Sequence, residues 1–180
     1  MIDGLHAAAK LFDSVLHFVH PAVVIDREQL ARFGGYDSGS GYSADLVTQA
    51  RILVRGLLAY DPRPAGIFRV HQDNVSRTMK RVERKAYYRQ TYAALISVFE
   101  QSGADWRAAV SGYLATLESP EIMECIQQWL YYRAPVALQK LGMDCLARSW
   151  SGGSVALWRK CASRIGVRNL LRYALSRIGW

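Results

Sequence analysis

The chain has 180 residues, a formal net charge of +8 and a hydrophobic fraction of 51%. This length and composition suit one globular domain with a sizeable core and exclude a disordered chain. No apolar run approaches the ~20 residues of a membrane-spanning helix, and charges inside the apolar start of the chain argue against a secretory signal. A cytoplasmic protein is expected, or a host-delivered or phage-encoded one.

Apolar spacing and capping residues predict the first helices. Apolar side chains recur every three or four residues from Leu5 to Val19, so a first helix is expected to run to Pro21, which stops it. Asp26, with Gln29 three residues later, has the spacing of a capping box and predicts a short second helix.

A glycine-rich segment separates these helices from the next one. Residues 34–43 are expected to form a flexible loop, because glycine and serine dominate their composition. Ser43 or Asp45 then caps a third helix, which is predicted to continue to the turn at residues 61–64. A short helix over about 65–69 is expected to follow.

The rest of the chain predicts further helices. A long helix is expected over about 73–101, and another over about 105–117. Ser119 and Pro120 have the pattern of an N-cap and a first-turn proline, opening a helix that Pro135 interrupts. A last helix of this series follows the proline.

The C-terminal segment adds a change of direction. Its apolar side chains share one helical face up to Ile165 and another face after Gly166, so a kink is expected there. No convincing strand or internal repeat is present. We therefore predict an all-α single bundle of seven to eight helices. It comprises a helical domain, 1–150, and a basic segment, 151–180, that allows a C-terminal helical pair.

The positive charge is concentrated in two blocks. Residues 63–100 carry eight basic and three acidic residues, and residues 151–180 carry six basic residues and no acidic one. Residues 1–62 and 101–150 have net charges of −2 and −1. Localised positive charge attracts polyanions such as nucleic acid or anionic lipid.

The first block contains a helix with a basic face. At about 100° per residue, Val75, Met79, Val82 and Ala86 form a stripe that is expected to face the core. A helix in the major groove has short polar side chains for base edges and cations for phosphates. The opposite face has this layout, with Lys80 and Lys85 flanking Asp73, Asn74, Arg77, Arg81, Arg84 and Tyr88. The alternative is the solvated face of an ordinary helix.

The sequence around this helix resembles the helix-turn-helix superfamily over residues 50–84. In many bacterial repressors, a small residue of the second helix is followed five residues later by an apolar turn residue, and five further on by Val or Ile. Ala65, Val70 and Val75 match those places. The resemblance implies a DNA-binding regulatory or accessory protein of a bacterium or mobile element, contacting double-stranded DNA through the helix 72–88. It implies base contacts by Gln72, Asp73, Asn74 and Arg77, and phosphate contacts by Lys80, Arg81 and Arg84.

The second block favours a different partner. Residues 155–180 are amphipathic and lack acidic residues, which suits docking on an anionic membrane or an acidic protein partner. A helical effector, adaptor or interaction protein is therefore the alternative function. Other possibilities are a last bundle helix with hydrated arginines, added phosphate contacts, or an interface in a homo-oligomer. The basic patch consists of Arg159, Lys160, Arg164, Arg168, Arg172 and Arg177, with Trp158 and Trp180 near its ends.

Two sequences place tyrosines beside arginine. They are KAYYRQTY, residues 85–92, and WLYYRAP, residues 129–135. Aromatic side chains next to cations form stacking platforms for single-stranded nucleic acid, so a subunit that coats single strands is a third hypothesis. Packing in the core is the commoner use of aromatic residues in helices.

No motif predicts catalysis, a cofactor or a metal. His17 and His20 are three residues apart, but no third ligand is apparent near them. The glycine-rich residues 34–43 lack the lysine of a phosphate loop and do not match G-x-S-x-G. A protein without enzymatic activity is therefore expected. Each of the widely spaced cysteines is expected to be a small buried hydrophobic residue: Cys125, Cys145 and Cys161.

Overall fold

The computed structural model describes residues 1–13, 23–36, 38–61, 63, 78–149 and 163. Within them the chain forms seven α-helices and one pair of two-residue strands, so the predicted all-α class is confirmed. The helices are α1 (Gly4–Lys10), α2 (Arg27–Arg32), α3 (Ala44–Leu53), α4 (Arg81–Ser102), α5 (Trp106–Leu114), α6 (Ser119–Tyr131) and α7 (Val136–Ser149). Strands β1 (Ile2–Asp3) and β2 (Leu57–Leu58) pair antiparallel, and a 3-10 segment, Ser38–Ser43, precedes α3.

Helix α1 packs between α3 and α5. Its residues 7–9 are three alanines, all fully buried, and such small side chains let neighbouring helices approach closely. Just beyond the helix, the ring of Phe12 stacks with Trp106 at 6.3 Å between centroids and meets Phe99 edge-on at 5.7 Å. The end of α1 is therefore the place where α4 and α5 join the core.

The four helices α4 to α7 complete the core. Each buries side chains three or four residues apart, as expected for a helix with one apolar face. Helix α6 packs on α7, and α7 also contacts α5. The buried side chains of these helices include Tyr92, Leu95, Phe99, Trp106, Val110, Leu114, Ile122, Ile126, Trp129, Leu138 and Leu146.

A close backbone approach fixes the start of the chain. Strand β1 pairs with β2 with Ile2 opposite Leu58. Gly4 follows β1 directly, and a Cβ atom on this residue would lie 2.1 Å from the backbone oxygen of Leu53. Because only glycine fits at that distance, Gly4 allows the start of α1 to lie against the end of α3.

Buried hydrogen bonds hold the segment that follows α1. The indole of Trp129 donates to the carbonyl oxygen of Phe12 at 2.8 Å, and the hydroxyl of Tyr113 donates to the carboxylate of Asp13 at 2.8 Å. Burial, followed by this hydrogen bond, raises the pKa of Tyr113. Burial and the Asp13 carboxylate also raise the pKa of the Cys125 thiol. These interactions join the end of α1 to α5 and α6.

Several predicted boundaries are confirmed. The carboxylate of Asp26 accepts a hydrogen bond from the Gln29 backbone N–H at 2.9 Å and caps α2. Gly103, with a φ of 77°, ends α4, and Asp105 caps α5. Pro135 lies between α6 and α7, as expected.

Two predicted helices are shorter in the structure. Helix α1 ends at Lys10 instead of near Pro21, because residues 11–13 form a turn whose side chains are buried. Helix α3 ends at Leu53 instead of near the 61–64 turn, because residues 57–58 pair with β1. The prediction of no strand is also wrong here. A two-residue strand is too short to show an alternating pattern in the sequence.

Smaller differences concern one loop and one helix start. The predicted loop 34–43 contains the 3-10 segment, which Gly41 interrupts with a φ of 54°. The N-cap of α6 is Glu118 and not Ser119, and the Glu118 backbone N–H donates to the Glu121 carboxylate at 2.8 Å.

Other expectations fall beyond the described residues. The short helix over 65–69, the kink near Gly166 and the boundary between 1–150 and 151–180 remain predictions. None of the helices that the structure describes combines the length and apolar character required to cross a bilayer.

Candidate nucleic-acid interface

The predicted DNA-contacting residues are only partly described by the structure. Lys80, Arg81 and Arg84 lie at the start of α4. The four residues expected to contact bases lie outside the described residues: Gln72, Asp73, Asn74 and Arg77. The same holds for the C-terminal patch of Arg159, Lys160, Arg164, Arg168, Arg172 and Arg177, and for His17 and His20.

The basic helix predicted over 72–88 is interrupted at its middle. Thr78 is helical, Met79 lies in a bend and Lys80 has an extended backbone with φ −62° and ψ 153°. Lys80 is the N-cap of α4, and its backbone N–H donates to the carboxylate of Glu83 at 2.9 Å. The prediction of one continuous helix is therefore wrong, because a side chain three residues later satisfies the backbone at a new helix start.

This break changes which face of the helix meets the core. Val82, predicted to face the core, is 79% exposed, and Ala86 is exposed as well. Tyr88, predicted on the basic face, is half-buried and packs against the core. The predicted stripe required Val75 and Met79 to belong to the same helix. The side of α4 that faces the core is set instead by its larger apolar residues further along, such as Leu95 and Phe99.

The first basic residues of α4 lie on the same side of the helix as its buried residues, but nearer to its start. At about 100° per residue, Arg81, Arg84 and Tyr88 lie within roughly 40° of the buried Leu95. Arg81 is exposed, whereas Arg84 is half-buried and its guanidinium donates to the Met79 carbonyl oxygen at 3.4 Å. These cations therefore point toward neighbouring elements of the fold and not directly away from it.

The end of α6 places an aromatic ring beside these cations. The guanidinium of Arg81 lies 5.6 Å from the centroid of the Tyr131 ring, and the ammonium of Lys85 lies 4.6 Å from it. Both distances are within the ~6 Å of a cation–π interaction. Tyr131 is 44% exposed, so both pairs lie at the surface. We refer to Lys80, Arg81, Arg84, Lys85 and Tyr131 as the Tyr131 surface.

Stacked tyrosines join the two helices below this surface. The rings of Tyr88 and Tyr132 stack with 4.0 Å between centroids. Tyr131 meets Tyr132 edge-on at 4.9 Å, and Tyr87 meets Tyr88 at 5.0 Å. The fold thus brings the two tyrosine–arginine sequences together. Residues 85–92 supply Tyr88 for packing, and residues 129–135 supply Tyr132 for packing and Tyr131 for the surface. No local pattern could have shown this pairing, because it joins residues that are far apart in the chain.

Tyr87 and Tyr88, next to the Tyr131 surface, add no negative charge to it. Burial raises the pKa of Tyr87 to about 12. Burial, and secondarily Tyr132, raises the pKa of Tyr88, which Arg84 opposes. These tyrosines are therefore neutral at physiological pH. Glu83 lies about 160° around the helix from Arg81 and caps the start of α4.

The metal-ligating side chains of the described residues are dispersed, and the described cysteines are buried. They contain no group of three His, Cys, Asp or Glu side chains that could hold a metal ion. Cys125 and Cys145 are buried free thiols, as predicted, and Cys161 lies beyond the described structure. No family model, curated protein or solved structure matches the chain. The helix-turn-helix resemblance therefore stays a prediction.

Proposed function

We propose that the protein binds nucleic acid through the Tyr131 surface and the residues that precede it, with double-stranded DNA as its main ligand. The observation that supports this is the convergence of Arg81 and Lys85 on the exposed ring of Tyr131. Cations held against a ring lose less conformational freedom on binding phosphate than freely moving side chains do. Lys80 adds an exposed charge at the start of the helix.

The break before α4 supports the division of roles within the predicted contact segment. A recognition helix is an element of its own, and its N-terminal residues contact the base edges. The non-helical Met79 and Lys80 separate the expected base contacts, residues 72–77, from α4. Under this proposal, the residues before the break read the bases and the Tyr131 surface binds the adjacent phosphates.

Single-stranded nucleic acid is the second candidate, and the exposure of Tyr131 favours it. Bases stack on aromatic side chains that lie beside cations, and each such contact is worth about 1–3 kcal/mol. Duplex DNA has no unstacked base to offer to the ring. The two candidates therefore differ in how much they need Tyr131.

Fluorescence anisotropy of the full chain with labelled random duplex and random single strand tests the proposal. The slope of log affinity against log salt reports how many phosphates are contacted. We expect the duplex to bind more tightly, with an affinity that falls steeply as salt increases. Anionic liposomes, added as a competitor of the nucleic acid, test the alternative that residues 155–180 dock on a membrane. Tight liposome binding without nucleic-acid binding would favour that alternative.

The double variant Arg81→Gln, Lys85→Gln tests the surface itself. Each lost phosphate contact lowers the salt slope for duplex by about 0.9, so we expect a slope smaller by roughly 2 and a much weaker affinity. The matched control is Arg107→Gln, Lys140→Gln, which removes the same charge from exposed positions outside the Tyr131 surface. An equal loss in both double variants would show that affinity depends on net charge alone, and would refute this site.

Two substitutions of Tyr131 distinguish duplex from single-strand binding. Tyr131→Phe keeps the ring and should retain both affinities. Tyr131→Ala should weaken single-strand binding by roughly 5- to 150-fold and duplex binding far less. If Tyr131→Ala leaves single-strand binding unchanged, stacking on this ring is not part of the mechanism.

A further inference from the structure

The turn between α6 and α7 holds a residue in an unusual backbone conformation. Arg133 has a φ of 56°, and it is the only non-glycine residue with a positive φ in the part of the chain that the structure describes. This left-handed region is unfavourable for residues with a side chain, because Cβ comes close to the backbone. Residues held in such a conformation are concentrated at functional sites.

Two backbone hydrogen bonds impose this conformation. The N–H of Ala134 donates to the Trp129 carbonyl oxygen at 2.8 Å, and the N–H of Arg133 donates to the Leu130 carbonyl oxygen at 3.2 Å. Together they form the Schellman arrangement that ends a helix, in which the left-handed residue is usually glycine. Ala134 and Trp129 are buried, so the core fixes this end of α6. Glycine would fit the position with less strain than arginine.

The side chain of Arg133 does not offset this strain through contacts within the fold. Arg133 is exposed, and its side chain makes no hydrogen bond, ion pair or ring contact with the described residues. Its charge interacts favourably with the C-terminal end of α6, but salt screens this effect at an exposed position. Contacts within the described fold therefore do not account for an arginine here.

We propose that Arg133 binds a phosphate of the nucleic acid beside the Tyr131 surface. It follows Tyr131 by two residues, so its charge adds to that of Arg81 and Lys85 around the ring. A guanidinium without a partner in the free protein keeps its five N–H donors for phosphate oxygens. This inference rests on the proposed function, and it adds a contact from the end of α6 to those from α4.

A contact of this kind implies that binding and stability have different requirements at position 133. Residues that serve a ligand are often not the most stable choice for their backbone. Arg133→Gly should therefore weaken nucleic-acid binding without lowering stability. A residue with a purely structural role would lower stability when it is replaced, and would leave binding unchanged in the folded protein.

Fluorescence anisotropy of the full chain with labelled random duplex, over a range of salt concentrations, measures the contact. Arg133→Gln removes the charge and keeps the left-handed backbone, whereas Arg133→Lys keeps both. Because one phosphate contact is lost, Arg133→Gln should lower the salt slope by about 0.9 and the affinity roughly fivefold at about 0.15 M salt. Arg133→Lys should keep the wild-type slope. The matched control is Lys140→Gln, which removes one exposed charge outside the Tyr131 surface.

Thermal unfolding without nucleic acid measures the strain separately. Both Arg133→Gly and Arg133→Gln lack the charge, and only the glycine relieves the left-handed conformation. Arg133→Gly should therefore melt about 1–4 °C above Arg133→Gln. The two variants should bind duplex equally weakly, because both lack the guanidinium.

Three results would overturn this inference and leave the proposed function intact. The first is wild-type affinity and slope in Arg133→Gln, while the double variant Arg81→Gln, Lys85→Gln binds weakly. The second is an equal loss in Lys140→Gln, which would mean that net charge alone is measured. The third is a melting temperature of Arg133→Gly below that of Arg133→Gln, which would show that the position is not strained. A wild type that binds neither duplex nor single strand would instead overturn the proposed function, and this contact with it.

Discussion

Removal of the Tyr113 hydroxyl should destabilise the protein by about 2 kcal/mol. The hydroxyl donates to the Asp13 carboxylate at 2.8 Å, and the two residues are only 4% and 9% exposed. Tyr113→Phe keeps the ring and its edge contact with His6, at 6.0 Å between centroids. The variant therefore removes one donor from a buried carboxylate without opening a large cavity. Hydrogen bonds to charged groups contribute about 1.5–3 kcal/mol, which gives the expected magnitude.

Urea unfolding followed by circular dichroism measures this loss. The midpoint should fall while the dependence on urea stays constant, because the change affects the folded state and not the surface exposed on unfolding. The melting temperature should fall by roughly 4–8 °C, at about 2–4 °C per kcal/mol for a chain of this size. Tyr60→Phe, at a tyrosine that is 69% exposed, is the control and should change stability by less than about 0.5 kcal/mol.

A double-mutant cycle with Asp13→Asn decides whether the effect comes from this hydrogen bond. The two substitutions should be strongly non-additive, because each removes or weakens the same interaction. Purely additive losses would mean that the two side chains are not coupled. A loss below about 0.5 kcal/mol for Tyr113→Phe would refute the reasoning directly.

Two further predictions concern packing and pH. Gly142→Ala should destabilise the protein by about 1–3 kcal/mol, because its Cβ would lie 2.6 Å from the Trp129 ring. The control Gly112→Ala in α5 meets open space and should stabilise the protein by up to about 1 kcal/mol. Thermal unfolding ranks the two variants by stability, and the reverse ranking would contradict the packing described. Stability should also fall with rising pH, because the pKa of Tyr87 is about 12 in the folded chain and those of Tyr88 and Tyr113 are raised above 10.0. The unfolded chain then loses protons that the folded chain keeps, so this stability is complete below about pH 10 and is lost as the pH approaches 12. Urea unfolding should show the loss, smaller in Tyr113→Phe, and constant stability between about pH 8 and 11 would contradict it.

The helix boundaries that the sequence predicts correctly each have a local chemical signal. Asp26 has a side chain that accepts a hydrogen bond from the first turn, Gly103 takes a left-handed conformation, and Pro135 cannot continue a helix. The start of α4 has no such signal, since Lys80 is not a typical capping residue and neither glycine nor proline is near it. The acid that completes this cap, Glu83, looks like any helical surface residue in the sequence.

The Tyr131 surface depends on contacts that no local pattern encodes. Arg81 and Lys85 are obvious as charges, but the ring they meet belongs to a helix that begins more than thirty residues later. Residue types could therefore be predicted from the sequence, whereas their grouping depends on how the helices pack.

The side on which the first turns of α4 carry their cations determines how a polyanion would meet the protein. A basic face opposite the core would present mobile side chains to solvent, and α4 alone would form the contact. In the structure the exposed side of α4 carries Val82 and Ala86, while Arg81 and Lys85 lie beside Tyr131 of α6. A ligand that binds these cations therefore lies across the junction of the two helices. For this reason removal of the Tyr131 ring, which carries no charge, is expected to release both cations. This release weakens duplex binding slightly, whereas single-strand binding also loses a stacking contact.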